Sequence, residues 1–205
     1  LVPSSSSSNL AAMNVSSSST APSNTTTINS LILVVATVCS VLLFGGLAAY
    51  SLARLQPPGA NFFMLYMLGG STLPIWLFLV PLYFLWNQLG LINSLLGLII
   101  IYTALNSPLA IFLLRSYMVN LPPDFEDAAR VDGASELQVL TNVILPLAFP
   151  GIVAGSIFTF SLTLGDYIIP SVIGNSNPFI GLAVYSYQGT SGNIPLAAAF
   201  TTIPV

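Results

Sequence analysis

The sequence predicts an all-α fold, a polytopic bundle of transmembrane helices. Two observations lead to this prediction. Of the 205 residues, 55% are hydrophobic and only 4% are charged, whereas a soluble domain carries about 25% charged residues. Several charge-free apolar runs are also long enough to cross about 30 Å of hydrocarbon as helices. Helices satisfy their own backbone polar groups, which a chain inside a bilayer requires.

The predicted spans share the absence of charge and a length suited to the bilayer. The second span contains Pro74 and Pro81, which we interpret as kinks in one helix because neighbouring helices can satisfy the freed carbonyls. Pro108 interrupts the third span, and a fifth apolar run begins at Leu196. The four complete spans are residues 31–53, 62–86, 95–114 and 145–164.

Residues 1–30 form a separate segment that is rich in Ser, Thr and Asn. They have no apolar period, so we expect a flexible segment ahead of a membrane domain at 31–205. The only basic residues, Arg54, Arg115 and Arg130, fall on one side of the membrane when the spans alternate. The positive-inside rule makes that side the cytoplasm. We therefore expect residues 1–30 to be extracytoplasmic.

Seven of the nine charged residues lie in one polar stretch, from Arg115 to Glu136. The chain has no His and no Lys. Histidine metal sites, histidine acid–base catalysis and basic surfaces for nucleic acid therefore have almost nothing to be built from. The single cysteine, Cys39, excludes an internal disulfide. We accordingly expect no catalytic residues, no metal ligands and no nucleic-acid partner.

The polar stretch is predicted to form a short surface helix, a glycine elbow and a second helix that leads into the fourth span. Pro122 and Pro123 suit the first helical turn, and acidic residues follow them near the electropositive helix N-terminus. Gly133 can end the helix in a left-handed conformation. Ser135 and Gln138 have the spacing of a capping box. Such a helix fits a groove on a partner, and its composition also fits a plain solvated loop.

The spacing of this stretch resembles the EAA loop of permease subunits of binding-protein-dependent ABC importers. Asp127-Ala128-Ala129 is followed after three residues by Gly133, and after nine more by Val143-Ile144-Leu145-Pro146. The family pattern is EAA, three residues, Gly, nine residues and I-x-L-P, from which Asp127 and Val143 depart conservatively. The similarity extends from about Asn29 to the end of the chain. It implies a type I ABC importer permease fold, with six helices in the full chain and the first and last incomplete here.

In that family the loop, here residues 121–146, forms a coupling helix that sits in a cleft of a cytoplasmic ABC ATPase subunit. The resemblance implies that this chain is not an enzyme and binds no cofactor. Without a lysine it cannot form a GxxxxGK[ST] loop, so ATP and Mg would be used by the partner subunit. The implied ATPase contact consists of Glu126, Asp127, Ala128, Ala129 and Gly133, with Leu145 and Pro146 holding the return into the membrane.

The resemblance also implies other partners and a location. The partners are a second permease subunit of different sequence, an extracytoplasmic solute-binding protein and the lipid bilayer. The location is the bacterial plasma (inner) membrane, in which the chain would be a multi-pass protein. Two other classes stay open beside the importer: an ion-coupled secondary transporter and a membrane assembly subunit.

Two classes of solute compete within the resemblance. The stretch RSYMVNLPPDFEDAARVDGAS resembles carbohydrate importers of the maltose type, whereas FSLTLGDYIIPSVIGN is more similar to polyamine importers. A polyamine would need an anion such as Asp166 in place of its water. A sugar would instead need aromatic faces and amides, for which Gln88 is one candidate. We expect a carbohydrate, and the predicted pathway residues are Tyr102, Asn106, Asp166 and Tyr167.

Overall fold

The structure is a computed structural model that describes residues 24–174, 179–189 and 194–201. In these residues helices are joined by short turns, and the predicted all-α membrane bundle is confirmed. The helices are α1 (Asn24–Leu55), α2 (Ala60–Ser71), α3 (Ile75–Gln88), α4 (Leu95–Val119), α5 (Asp124–Val131), α6 (Glu136–Leu147), α7 (Phe149–Gly165), α8 (Ile168–Val172), α9 (Ile180–Gly189) and α10 (Ile194–Thr201).

Within that part of the chain, three helical stretches are long and apolar enough to cross a membrane: α1, α4 and Phe149–Val172, which joins α7 to α8. The pair formed by α2 and α3 makes a fourth if it is counted as one span. The fourth predicted span therefore begins at Phe149 rather than at residue 145, because Ala148 leaves helical winding (φ −82°, ψ 1°) between α6 and α7.

Helix α1 begins at Asn24, inside the segment predicted to be flexible. Thr26 and Ser30 are buried, and the backbone N–H of Ile180 donates to Ser30 Oγ at 2.9 Å. Hydroxyl side chains are common where membrane helices pack closely, so a composition rich in Ser and Thr does not exclude a helix. The predicted boundary is corrected accordingly: residues 24–30 belong to α1. Residues 1–23 lie outside the described residues.

Two stretches of α1, Val41–Gly45 and Ser51–Leu55, wind as π-helix. Along this part of α1 the buried residues recur every four positions. In an α-helix with 3.6 residues per turn, such a repeat drifts around the axis by about 40° at each step. The wider π turns offset the drift, so α1 keeps one face against α4. The repeating residues are Thr37, Val41, Gly45, Ala49 and Ala53.

The predicted second span is broken in two, since α2 and α3 meet at an angle of 95°. Pro74 precedes α3 with an extended backbone (φ −68°, ψ 137°). Proline disfavours helical winding of the residue before it, so α2 cannot continue through Leu73. The prediction of one kinked helix is thus wrong at Pro74. Pro81, by contrast, lies within α3 and does not end it.

Helix α4 is continuous and lies at the centre of the bundle, in contact with α1 and α7. Pro108 lies inside it, so the interruption predicted there is wrong. A proline is tolerated in a membrane helix where neighbouring groups satisfy the freed carbonyl. Ser94 caps the start of α4, where its Oγ accepts from the Gly97 N–H at 2.9 Å.

Two apolar clusters hold the helices together at opposite ends of α4. One contains Leu114 and Met118 from the C-terminal part of α4 and joins them to α1 and α6. The other contains Leu98 from the N-terminal part of α4 and joins it to Leu33 of α1, Trp86 of α3 and the residues after α7. Because lipid is as apolar as these side chains, close packing is what holds them together.

Candidate coupling element and solute cavity

Helices α5 and α6 form the candidate coupling element. Helix α5 follows Pro123, whose backbone is already helical (φ −64°, ψ −23°), and ends before Asp132. Gly133 has a φ of 85°, which glycine adopts without strain. Ser135 then caps α6: its N–H donates to Gln138 Oε1 at 2.8 Å, and its Oγ accepts from the Gln138 N–H at 3.4 Å. The predicted glycine elbow and capping box are confirmed.

Glu126 is buried, which corrects its assignment to the surface that would meet an ATPase. Its exposed fraction is 3%, and its Oε1 lies 2.6 Å from Nε of Arg54 at the end of α1. Nη2 of Arg54 also donates to the carbonyl oxygen of Leu121 at 2.8 Å. A buried carboxylate needs a charged or hydrogen-bonding partner, and Arg54 supplies it. Glu126 therefore fastens α5 to α1.

Arg130 joins α5 to α6 on the exposed side of the element. It lies 3.3 Å from Asp127, 3.5 Å from Glu126 and 3.1 Å from Glu136. The hydrogen bond with Glu136 raises the pKa of Arg130. The same bond, helped by the Tyr50 hydroxyl, lowers the pKa of Glu136. Each contact is weak by itself because water screens exposed charges, but together they hold the elbow in one geometry.

Two further hydrogen bonds tie this region to the membrane helices. The Tyr50 hydroxyl donates to Oε2 of Glu136 at 2.9 Å, and Nε of Arg115 donates to the carbonyl oxygen of Leu52 at 3.4 Å. Arg54 and Arg130 both contact Glu126, so all three arginines lie at the same end of the bundle. This is the arrangement that the alternation of spans predicts.

The outward face of the coupling element is small and apolar with an acidic flank. Asp127, Ala128 and Gly133 are exposed, as predicted, while Ala129 is half-buried against the apolar cluster beneath it. Val131 is 88% exposed. A single exposed apolar side chain is ordinary on a protein surface, so the candidate contact is the small exposed face as a whole, formed by Asp127, Ala128 and Gly133.

Leu145 and Pro146, predicted to hold the return into the membrane, are exposed in the last turn of α6. The residues that anchor α6 are Val139 and Ile144, with exposed fractions of 0% and 1%. Ile144 belongs to the motif quoted above, whereas Val139 was missed, because its spacing of five from Ile144 does not fit an α-helix. The stretch Leu140–Ile144 is π-helical, and in such a turn that spacing returns a side chain to nearly the same face.

Three of the four predicted pathway residues meet in a polar cluster between α4 and α7. The Tyr102 hydroxyl donates to Oδ2 of Asp166 at 2.9 Å, and Oδ1 of Asp166 accepts from the Ile168 N–H at 2.8 Å. Nδ2 of Asn106 donates to Thr163 Oγ1 at 3.2 Å and to the Tyr102 carbonyl oxygen at 2.9 Å. Both carboxylate oxygens of Asp166 are therefore engaged within the protein.

The fourth pathway residue, Tyr167, lines a cavity of about 820 Å³ between α7 and α9. Its ring stacks on Tyr185 with centroids 4.3 Å apart and an interplanar angle of 5°. The cavity is also lined by Ser156, Ser161 and Gln188, and its described lining has no charged residue. Stacked aromatic rings beside hydroxyl and amide groups are suited to a neutral polar ligand with an apolar face.

The other predicted residues lie outside this cavity. Tyr102, Asn106 and Asp166 are not among its lining residues, and Gln88 is exposed at the end of α3. Sequence reasoning missed Tyr185, because it assigned no membrane span between residue 164 and Leu196. The recurrence of Ile180, Val184 and Gln188 at four-residue intervals is the signal that could have placed Tyr185 on the cavity side of α9.

Comparison with known proteins decides the family. The family model described as "Binding-protein-dependent transport system inner membrane component" matches residues 41–205. The chain belongs to this family. It is 35% identical over 185 residues to the diacetylchitobiose uptake system permease protein NgcG of Streptomyces coelicolor, covering 86% of this chain. It is 47% identical over 113 residues, or 55% of the chain, to the inner membrane ABC transporter permease protein YdcU of Escherichia coli K12.

The fold of this permease-family chain also matches a solved structure. That structure is described as a bacterial ABC transporter involved in the import of the acidic polysaccharide alginate. The match has a TM-score of 0.67 and 26% identity over 87% of this chain. The matched regions cover 61% of NgcG, 36% of YdcU and 63% of the alginate-importer chain. The chain thus spans about two thirds or less of the proteins it resembles.

Proposed function

We propose that this chain is a transmembrane permease subunit of an ATP-driven ABC importer that moves a carbohydrate across the bacterial inner membrane. The observation that carries the proposal is the coupling element: a short acidic helix, a glycine elbow and an exposed apolar tip at the arginine end of a membrane bundle. The chain supplies the passage and the contact with the motor, and ATP and Mg are used by the partner.

The surface of α5 supports contact with an ATPase subunit. Asp127 and Ala128 form an exposed helical face next to Gly133, and Val131 protrudes beyond it. The positive-inside rule makes the arginine end cytoplasmic, where a soluble ATPase would be found. Membership of a family of binding-protein-dependent transport components also favours an extracytoplasmic binding protein and a second permease subunit as partners. Residues 1–23 would then lie outside.

The cavity supports a carbohydrate rather than a polyamine. Its described lining is uncharged, and Asp166, which lies in the chain between the lining residues Gly165 and Tyr167, already accepts from Tyr102 and Ile168. A cationic solute would have to share Asp166 with these two donors, whereas a sugar can lie on the face of Tyr185. NgcG, whose name refers to diacetylchitobiose uptake, and the alginate-importer structure are consistent with this choice.

The coupling element is tested by co-purification from the native membrane with the complete, tagged chain. We expect an ABC ATPase subunit to accompany the parent chain and to be lost when residues 124–133 are replaced by a Gly/Ser linker. Gly133→Pro should keep the ATPase bound and uncouple hydrolysis from uptake, because proline cannot adopt the φ of 85°. Gly155→Ala is the matched control, since an added Cβ there meets nothing within 4 Å.

A chain that is recovered in good yield and folded but without any ATPase would contradict the importer proposal. The secondary-transporter and assembly-subunit readings would then move ahead of it.

The solute is tested by uptake measurements with two cavity variants and a control. Tyr185→Ala should strongly reduce carbohydrate uptake, because it removes half of the stacked pair. Asp166→Asn should reduce it only modestly, since an amide can still accept from the Ile168 N–H and donate to Tyr102. Tyr83→Ala is the control, because Tyr83 lies on α3 outside the cavity. Uptake of a polyamine by the parent, abolished by Asp166→Asn, would favour the polyamine alternative instead.

A further inference from the structure

We propose that Arg54 is a positioning residue of the transport cycle, and that its buried pair with Glu126 is the joint through which movement of α5 reaches α1. The inference rests on the proposed function, because it takes an ATPase subunit as the source of that movement. It concerns a contact within this chain, whereas the proposed function concerns a contact with another protein.

One side chain holds two points of the coupling region. Nε of Arg54 lies 2.6 Å from Glu126 in α5, and Nη2 donates at 2.8 Å to the carbonyl oxygen of Leu121 in the turn before α5. The planar guanidinium presents its donors in a rigid fork, so both contacts are made from one fixed geometry. The two contacts therefore fix both the direction and the distance by which a displacement of α5 moves the end of α1.

The pair is shielded from water, and Glu126 also lies 3.5 Å from Arg130 of the same helix. The side chains of Arg54 and Glu126 are 14% and 4% exposed. In the part of the chain that the structure describes, neither Arg54 Nε nor Glu126 Oε1 has a hydrogen-bond partner, so the ion pair is what compensates these two atoms. Separating the pair leaves the largely buried guanidinium of Arg54 without its carboxylate, which makes this joint resist opening.

The remaining polar ties differ from this joint. Arg130 connects α5 with α6 and, within α5, also contacts Glu126, so it stiffens the coupling element without reaching α1. Tyr50 reaches the element from α1, four residues before Arg54, and donates to Glu136 at the start of α6. The last turns of α1 thus contact both α5 and α6. The charged contact, made by Arg54, is with α5, the helix that carries the outward face.

Helix α1 connects this joint with the solute cavity. Val38 of α1 lines the cavity, and Arg54 follows it by 16 positions, which correspond to about 24 Å of helix at 1.5 Å per residue. A pull on Arg54 is therefore delivered to the cavity wall by one continuous helix. The geometry explains why so apolar a span ends on a buried charge.

The test uses the complete permease in its assembled transporter, reconstituted in proteoliposomes, with solute uptake and ATP hydrolysis measured on the same vesicles. Glu126→Gln and Arg54→Lys should each retain the ATPase subunit and lower the amount of solute moved per ATP by about tenfold. The charge reversal Arg54→Glu with Glu126→Arg should recover part of that ratio. Asp124→Asn, an exposed acid-to-amide change in the same helix, is the control and should leave the ratio unchanged.

An unchanged ratio in both single variants would overturn the proposal. If a single variant folds poorly, the charge reversal decides: recovery of both yield and ratio supports the joint, and recovery of yield without the ratio shows a merely structural pair and overturns it. Absence of an ATPase subunit from the parent preparation would count against the proposed function, which separates the two failures.

Discussion

Single residues determine how closely the helices approach, and Gly97 at the start of α4 is the clearest example. Its N–H donates to Ser94 Oγ, and its carbonyl oxygen accepts from Nε1 of Trp86 at 3.2 Å. An added Cβ would lie 2.5 Å from the carbonyl oxygen of Leu91 and 2.8 Å from Trp86 Nε1. The turn between α3 and α4 therefore closes only around a residue without a side chain.

Gly97→Ala should destabilise the protein by about 1–3 kcal/mol, the usual cost of overpacking. The added methyl would push against a backbone oxygen, which cannot rotate away. The measurement is thermal unfolding of the solubilised chain, compared with Gly155→Ala, where the added Cβ meets nothing within 4 Å. Equal unfolding temperatures for the two variants would contradict the close approach.

At the scale of the helices, features determined by neighbouring residues could be predicted and those determined by distant contacts could not. The elbow at Gly133 and the cap at Ser135 depend on residues a few positions apart, and both were predicted. The inward orientation of Glu126 depends on Arg54, 72 positions earlier in the chain, and nothing within α5 pointed to it. The bend before Pro74 did have a local signal, which is the proline itself. The span is apolar on both sides of it, however, and was therefore predicted as one helix.

Acid should weaken the contacts between α5 and α6. Arg130 and Tyr50 hold the pKa of Glu136 below its ordinary value. Their contribution to stability is therefore complete above that ordinary value, and it is lost as the pH falls through the lowered pKa. Amide hydrogen exchange of α5, corrected for the intrinsic effect of pH, should rise in this window.

Glu136→Gln is the matched variant for this experiment, since it removes the titrating group and keeps an amide oxygen that Arg130 can reach. Exchange in α5 should then lose its acid-dependent step. A step that persists unchanged in this variant would show that Glu136 is not the group responsible for it.

The whole molecule has two chemically distinct ends. Arginines and the coupling element occupy one, and the turn after Gln88 lies at the other, beside the second apolar cluster. Hydropathy was sufficient to predict the bundle, because each span carries its own signal. The cavity was beyond prediction, since it is formed where α1, α7 and α9 meet and no single segment contains its pattern.

The orientation of these ends can be measured by cysteine labelling, because Cys39 is the chain's single cysteine. In a Cys39→Ser background, Val131→Cys should react with a membrane-impermeant maleimide only after the inner membrane is permeabilised. Gln88→Cys, exposed at the opposite end, should react in intact spheroplasts. The reverse pattern would place the arginine end outside and remove the basis for contact with a cytoplasmic ATPase.

The π-helical stretches of α1 also determine which changes in length the helix tolerates. A π turn accommodates one residue more than an α turn, so deleting one residue within Val41–Gly45 lets that stretch wind as α-helix while both flanks keep their orientation. The same deletion among residues 31–37 would rotate everything beyond it by about 100°. Homologous helices that are one residue shorter should therefore have their gap at the π turn, with the face towards α4 preserved.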